Sequence, residues 1–329
     1  MKLPFRIFIG FILIALACGN NRNPVDSAED ADFGLYFLKN DALSVIEVLQ
    51  RDLSSLELQT EPWLSEKDIV RYDFSSHYIY LKYTKTELLK DYLGSNFTES
   101  NLESKPFVVM ANQERCYLGS FYPTYLSTGP ATPYISIIFL YDTFIPADVI
   151  PIEAEWITED DKRDQEALKN ALSNLNLLHL GLEVKLNSVT VVSKSDTTTV
   201  RYSYTLTNHD SDALFVIDPD KMGSERFHYF TNGVHFRSDQ EYYYSQYKKT
   251  IASENGSTPN PQYYCRIKSG GSVTKTVELK GYPKIPGGRY ECYFNFNNPT
   301  RIDRASRETP NGRYWLGSVT SDKIKVTIN

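Results

Sequence analysis

The sequence predicts an α+β unit followed by an all-β sandwich, and three observations lead there. In the first half, apolar runs of strand length alternate with helix-capping signals. In the second half, apolar residues recur at every other position through several segments. Between the halves, one stretch repeats its apolar residues at helical spacing.

The N-terminal unit is expected over residues 33–157. Phe33-Gly34-Leu35-Tyr36-Phe37-Leu38 reads as a buried strand ended by the turn pair Asn40-Asp41. Ser65-Glu66-Lys67-Asp68 before Ile69 and Val70 predicts a short capped helix, and Thr84-Lys85-Thr86-Glu87 before Leu88, Leu89, Tyr92 and Leu93 predicts a longer one. Tyr78-Ile79-Tyr80-Leu81 reads as a strand between them. The runs at 106–110 and 115–119 flank Asn112-Gln113-Glu114 and predict a hairpin. Residues 158–181 are expected as a linking helix. Acids at Glu159, Asp160 and Asp161 suit its start, Ala167, Leu168, Ala171, Leu172 and Leu175 form its packed stripe, and Gly181 is its expected stop.

The C-terminal unit is expected over residues 182–329. Val200, Tyr202, Tyr204 and Leu206 share a face, as do Val273, Val277 and Leu279, then Tyr290, Cys292, Phe294 and Phe296, then Ile324, Val326 and Ile328. Within Phe227–Phe236, Asn232-Gly233 fits a two-residue hairpin turn that would set Tyr229 opposite Phe236. Several half-buried strands imply two packed sheets, and an immunoglobulin-like sandwich is the expected architecture.

Lys2 and Arg6 precede an apolar run from Ile7 to Leu16 that ends at Ala15-Leu16-Ala17-Cys18. This resembles the signal peptide of bacterial lipoproteins. The resemblance implies removal of residues 1–17, lipid on Cys18, and a membrane anchor facing the periplasm or the cell surface. Gly19 after that cysteine resembles outer-membrane sorting in cells with two membranes. Residues 18–32 hold almost nothing that can enter a core and read as a flexible tether. Without residues 1–17 the chain carries 33 basic against 41 acidic residues, a net charge of −8, which argues against nucleic acid as a partner.

Two further resemblances concern fold. Leu64 to Ile69, a strand, a helix and a hairpin opening with Pro106-Phe107-Val108-Val109 resemble the periplasmic head domain of the SecD and SecF translocase subunits, which implies a non-catalytic domain that contacts polypeptides. Tyr204-Thr205-Leu206-Thr207-Asn208 and Pro286-Gly287-Gly288-Arg289-Tyr290 resemble small bacterial sandwich domains such as the intracellular proteinase inhibitor family.

No residue of the sequence is assigned a catalytic, cofactor or metal role. His228 and His235 would be diagonal neighbours on the expected hairpin, but no third ligand accompanies them. Asp210, Asp212, Asp218 and Asp220 lack the glycine and terminal glutamate of a calcium loop. Cys265 and Cys292 fall in strands of an exported unit. They pair if those strands neighbour or face each other and stay thiols otherwise.

Two features are candidate ligand surfaces: Tyr242, Tyr244 and Tyr247 in a polar excursion, and Arg301, Arg304, Arg307 and Arg313 before Trp315. The expected function is that of a lipid-anchored binding or scaffolding protein of the envelope with no enzyme activity and a protein or glycan partner. Glycan binding is the alternative, and an extracytoplasmic hydrolase comes third.

Overall fold

The computed structural model describes residues 32–94, 101–123, 129–138, 145–154, 161–194, 197–239, 241–245, 260–299, 302 and 304–328. Cys18 with its signal and nearly all of the tether, Tyr247 and Arg301 lie outside the described residues. The chain is β-rich, with several sheets.

The N-terminal half runs β1 (Phe33–Phe37), α1 (Val45–Val48), β2 (Leu64–Ser65), β3 (Ile69–Asp73), β4 (Tyr78–Leu81), α2 (Lys85–Leu93), β5 (Pro106–Ala111), β6 (Glu114–Tyr122), β7 (Tyr134–Ser136), β8 (Val149–Pro151), α3 (Glu166–Asn174) and β9 (Leu178–His179). One sheet has the order β2-β1-β5-β6-β7 and a second the order β8-β4-β3-β9. The β5–β6 hairpin turns through Asn112 and Gln113, with φ of 48° and 65°. A two-residue hairpin turn needs such a left-handed pair to match strand twist. Helix α2 starts at Thr84, whose hydroxyl accepts the Glu87 N–H while the Glu87 carboxylate accepts the Thr84 N–H. Both features match the sequence expectation.

Strand β4 explains how the halves meet. Successive side chains of a strand point to opposite faces, and here both faces are covered. Ile79 and Leu81 join the core of the N-terminal half with Phe37, Trp63 and Phe107, whereas Tyr78 and Tyr80 join the core of the C-terminal half. Val149 and Ile150 on β8 divide in the same way. An unbroken apolar run is what a strand between two cores requires. Residues 31–329 accordingly form one compact unit.

The C-terminal half runs β10 (Leu182–Lys194), β11 (Thr197–Asn208), β12 (Leu214–Ile217), α4 (Pro219–Met222), α5 (Ser224–Thr231), β13 (Val234–Arg237), β14 (Tyr242–Tyr243), β15 (Tyr264–Ile267), β16 (Ser272–Tyr282), β17 (Gly288–Asn298), α6 (Arg304–Arg307), β18 (Glu308–Thr309), β19 (Gly312–Tyr314), β20 (Gly317–Thr320) and β21 (Ile324–Ile328). Its sheets are β10-β11-β16, β15-β12-β19-β18 and β14-β13-β17-β20, with β21 also on β17. The face carrying Tyr202 and Tyr204 on β11 packs against Phe294 on β17, with ring centroids 5.1 and 4.8 Å apart.

Four local expectations are corrected. Phe227–Phe236 is not a hairpin: helix α5 leads into β13. Asn232 and Gly233 do have positive φ, 57° and 69°, but the pair stops a helix, and the Asn232 N–H bonds back to the His228 carbonyl at 2.8 Å. A left-handed pair serves a helix end as well as a hairpin. Ser65 and Asp68 do not cap a helix either. The Asp68 carboxylate accepts the Ser65 N–H at 2.7 Å in a turn between β2 and β3, because Ile69 pairs with Leu81. Helix α3 ends near Asn176 (φ 56°), well before Gly181, and packs Leu168, Ala171 and Leu172 into the N-terminal core. At Gly181 (φ 73°) a Cβ would meet the Ser75 hydroxyl at 2.0 Å, so close approach is what demands glycine there. Finally, α4, α5 and α6 interrupt the half expected to be all-β.

Candidate functional site

Arg307, Arg313 and Trp315 are interior, which corrects the expectation of a ligand surface at those three residues. Arg313 and Trp315 are fully buried and Arg307 nearly so. Arg313 donates to Asp73 at 2.8 Å and to Asp210, while the Trp315 indole N–H donates to the Ser75 hydroxyl at 3.1 Å. Arg307 donates to Asp148 at 2.7 Å, and the guanidinium groups of Arg71 and Arg307 lie over the Tyr80 ring at 4.2 and 4.8 Å. Buried charges persist when paired, and these pairs join the two halves. Burial opposes the charge of Arg313, yet Asp73 and Asp210 hold its pKa above the ordinary value. Burial would likewise raise Asp210, but His179 and Arg313 hold it well below the usual carboxylate range. Arg304 alone of the described arginines in this stretch is exposed, and it donates to the Lys82 carbonyl at 2.9 Å.

The tyrosines behave differently. Alternation along β14 turns Tyr243 toward the core, while Tyr242 and Tyr244 stay 47% and 41% exposed. Register explains the rest of this surface. Phe236 pairs with Tyr243 and Cys292 on the core side, and His235 pairs with Tyr293 on the outer side. The outer face therefore gathers three tyrosine rings stacked around His235, with Tyr242 and Tyr244 tilted by 35° to each other. His235 lies 4.9 Å from Tyr293, 5.6 Å from Tyr242 and 6.2 Å from Tyr244, at interplanar angles of 7°, 26° and 18°. The Tyr242 hydroxyl meets His235 Nδ1 and the Tyr293 hydroxyl. Burial pushes the His235 pKa down to about 4, helped by nearby His228, so the imidazole is neutral at pH 7. The tyrosines over it present apolar ring surface with hydroxyl tips, and Arg237 and Glu291, paired across the strands beside them, supply the charged rim.

A cleft of about 390 Å³ opens between the halves. The β3–β4 turn supplies its floor. Asp73 accepts the Ser75 hydroxyl and the Ser76 N–H, and His77 comes next in the left-handed region at φ 54°. His77 Nδ1 faces the Tyr72 hydroxyl at 3.1 Å and Nε2 lies 3.4 Å from Asp164. Burial lowers the His77 pKa, assisted by Arg163. Arg163 grips Asp161 through Nε and Nη2 and donates Nη1 to the Ile152 carbonyl at 2.6 Å. Glu153 is fixed by an antiparallel bridge to Tyr134, and burial raises its pKa.

Sequence reasoning missed this cleft, because its walls come from segments far apart in the chain. In two places a histidine and two aspartates bring donor atoms within 4.8 Å of one another: His77 with Asp161 and Asp164, and His179 with Asp210 and Asp212. In each, one aspartate already holds an arginine. Asp218 and Asp220 flank Lys275 at 2.7 and 2.6 Å, which accounts for that part of the acidic cluster.

Cys265 and Cys292 are free thiols, as is Cys116. Cys265 pairs with Val216 and Cys292 with Phe236 and Ile324, so the two belong to different sheets and no bridge joins them. Burial pushes Cys292 up to about 12 and Cys265 up to about 11, which makes both poor nucleophiles.

No protein-family model matches the chain, and no curated protein matches it. One similar solved structure is described as "X-ray structure of Northeast Structural Genomics Consortium target SoR45", at 11% identity over 45% of this chain and 83% of that chain, with a TM-score of 0.21.

Proposed function

We propose that the chain is a lipid-anchored, non-catalytic binding protein of the bacterial envelope, held at Cys18, that takes saccharides on the tyrosine row of its C-terminal half. The observation that carries this reading is the exposed pair Tyr242 and Tyr244 stacked on His235 beside Tyr293. Flat rings bind the apolar face of a sugar, hydroxyl tips and a charged rim reach its hydroxyls, and a preformed stack loses little entropy on binding. Buried Arg307, Arg313 and Trp315 have no part in it. In the same proposal the C-terminal half is an immunoglobulin-like sandwich, and the N-terminal half keeps its likeness to the SecD and SecF head domain.

Co-sedimentation of the purified chain with peptidoglycan sacculi, competed by soluble chitooligosaccharides, tests the ligand class. Retention that the oligosaccharides displace supports it. Retention on a co-purifying envelope protein alone, unaffected by sugars, replaces saccharide with protein as the partner. Incorporation of labelled palmitate, lost in Cys18→Ser, tests the anchor. A wild-type chain that takes no label refutes it.

A further inference from the structure

We propose that the free edge of β21 is a second binding site, for an extended polypeptide segment that alternates apolar and acidic residues and adds to the sheet as a strand. Strand β21 pairs with β17 along one edge, Ile324 with Cys292, Val326 with Tyr290 and Ile328 with Gly288. Along its other edge, the outward main-chain groups of Ile324–Ile328 have no backbone partner among the described residues. Such an edge is a template for one more strand.

The two faces of this edge define what the added strand carries. On the inner face the core thins out: Tyr290 and Cys292 are buried, whereas Ile324, Val326 and Ile328 beside them are only half-buried. The facing sheet ends close by in β10, where Val189 and Val191 are half-buried as well. Apolar side chains at alternate positions of an added strand would cover this rim of the core. On the outer face, charges alternate across the strands. Arg237 on β13 pairs with Glu291 on β17, and Glu291 pairs with Lys325 on β21. Glu291 is already held by Lys323 at 3.5 Å, and Lys325 makes no ion pair among the described residues. Opposite charges on directly facing residues stabilise a sheet and like charges oppose it, so the residue that continues this row beyond Lys325 is acidic.

The same row argues against a second copy of the chain. Ile324–Ile328 contains no acid, so two such edges meeting would set Lys325 against a threonine or against the other Lys325. A lysine in an edge strand is a common guard against pairing of identical strands. The edge lies across β17 from β13 and β14, so an added strand leaves the tyrosine row open.

The probe is a capped peptide of alternating valine and glutamate, roughly six residues long as strands usually are, set against the same peptide with lysine in place of glutamate. Amide hydrogen exchange of the full chain reads where each one binds. The glutamate peptide is expected to slow exchange within Ile324–Ile328 and to bind about threefold to tenfold more tightly than the lysine peptide. Lys325→Glu, at an exposed position, is expected to reverse that preference. Equal binding of the two peptides, or no binding of either, overturns the proposal. So does a preference that Lys325→Glu leaves unchanged, or protection that falls on β10 or β16 instead. Exchange at β21 that slows with rising protein concentration in the absence of peptide also overturns it, because the edge then belongs to a second copy.

Discussion

Two regions hold the residue types that usually recognise ligands, and they have opposite fates. The arginines and tryptophan of 304–315 are mostly buried, with Arg313 held by Asp73 and Asp210 across the junction of the halves. The tyrosines of 242–244 sit on a sheet face with two of three rings open to solvent. Forked donors and aromatic faces are equally suited to holding a fold together and to holding a ligand. Burial and the presence of internal partners separate the two uses.

The largest effect that would break this comparison belongs to the buried region. Arg313→Met leaves buried Asp73 without an ion-pair partner among the described residues and Asp210 with His179 alone, so urea unfolding is expected to show a loss of about 3–5 kcal/mol. A loss below about 1 kcal/mol would mean that the seam does not hold the halves together.

Next comes acid. Burial holds His228 and His235 near pKa 4, below the roughly 6.5 of an unfolded chain. The unfolded state then binds more protons in that window, and stability falls as pH drops from about 6.5 toward 4. Asp161 and Asp210, both lowered, add to the loss at more acidic pH, whereas raised Glu153 works against it. In His235→Gln the slope of stability between about pH 4 and 6.5 should shrink. An unchanged slope would remove His235 as a buried neutral group.

Smaller still is the cap of α2. Thr84→Ala removes one side of a reciprocal capping pair and should cost about 1 kcal/mol in a thermal or urea melt.

Local signals were legible in proportion to how locally they are decided. The Thr84–Glu87 cap, the Asn112-Gln113 hairpin and the alternation of β11 and β17 depend on neighbours in sequence, and each could be read. Asn232-Gly233 was read as a turn of positive φ, which it is, but whether a helix or a strand precedes it depends on packing of Phe227 and His228. The seam was illegible, because Arg313 finds Asp73 across 240 residues and Asp210 across 103. The tyrosine row was half legible: Tyr242 and Tyr244 were expected in a polar excursion, but only the pairing of β13 with β17 brings His235 and Tyr293 beside them.

The most direct test is binding of the double variant Tyr242→Ala with Tyr244→Ala to peptidoglycan sacculi, measured alongside its thermal unfolding and across a series of salt concentrations. The variant loses the ring contacts over His235 and the Tyr242 hydrogen bonds, so folding stability should fall by about 1–2 kcal/mol while the chain stays folded. Binding should weaken by more than about 1 kcal/mol. The wild-type interaction, made by ring stacking, should change little between about 0.05 and 0.5 M salt. A double variant that folds normally and binds like wild type, or a wild-type interaction that collapses with salt, would contradict recognition by the tyrosine row.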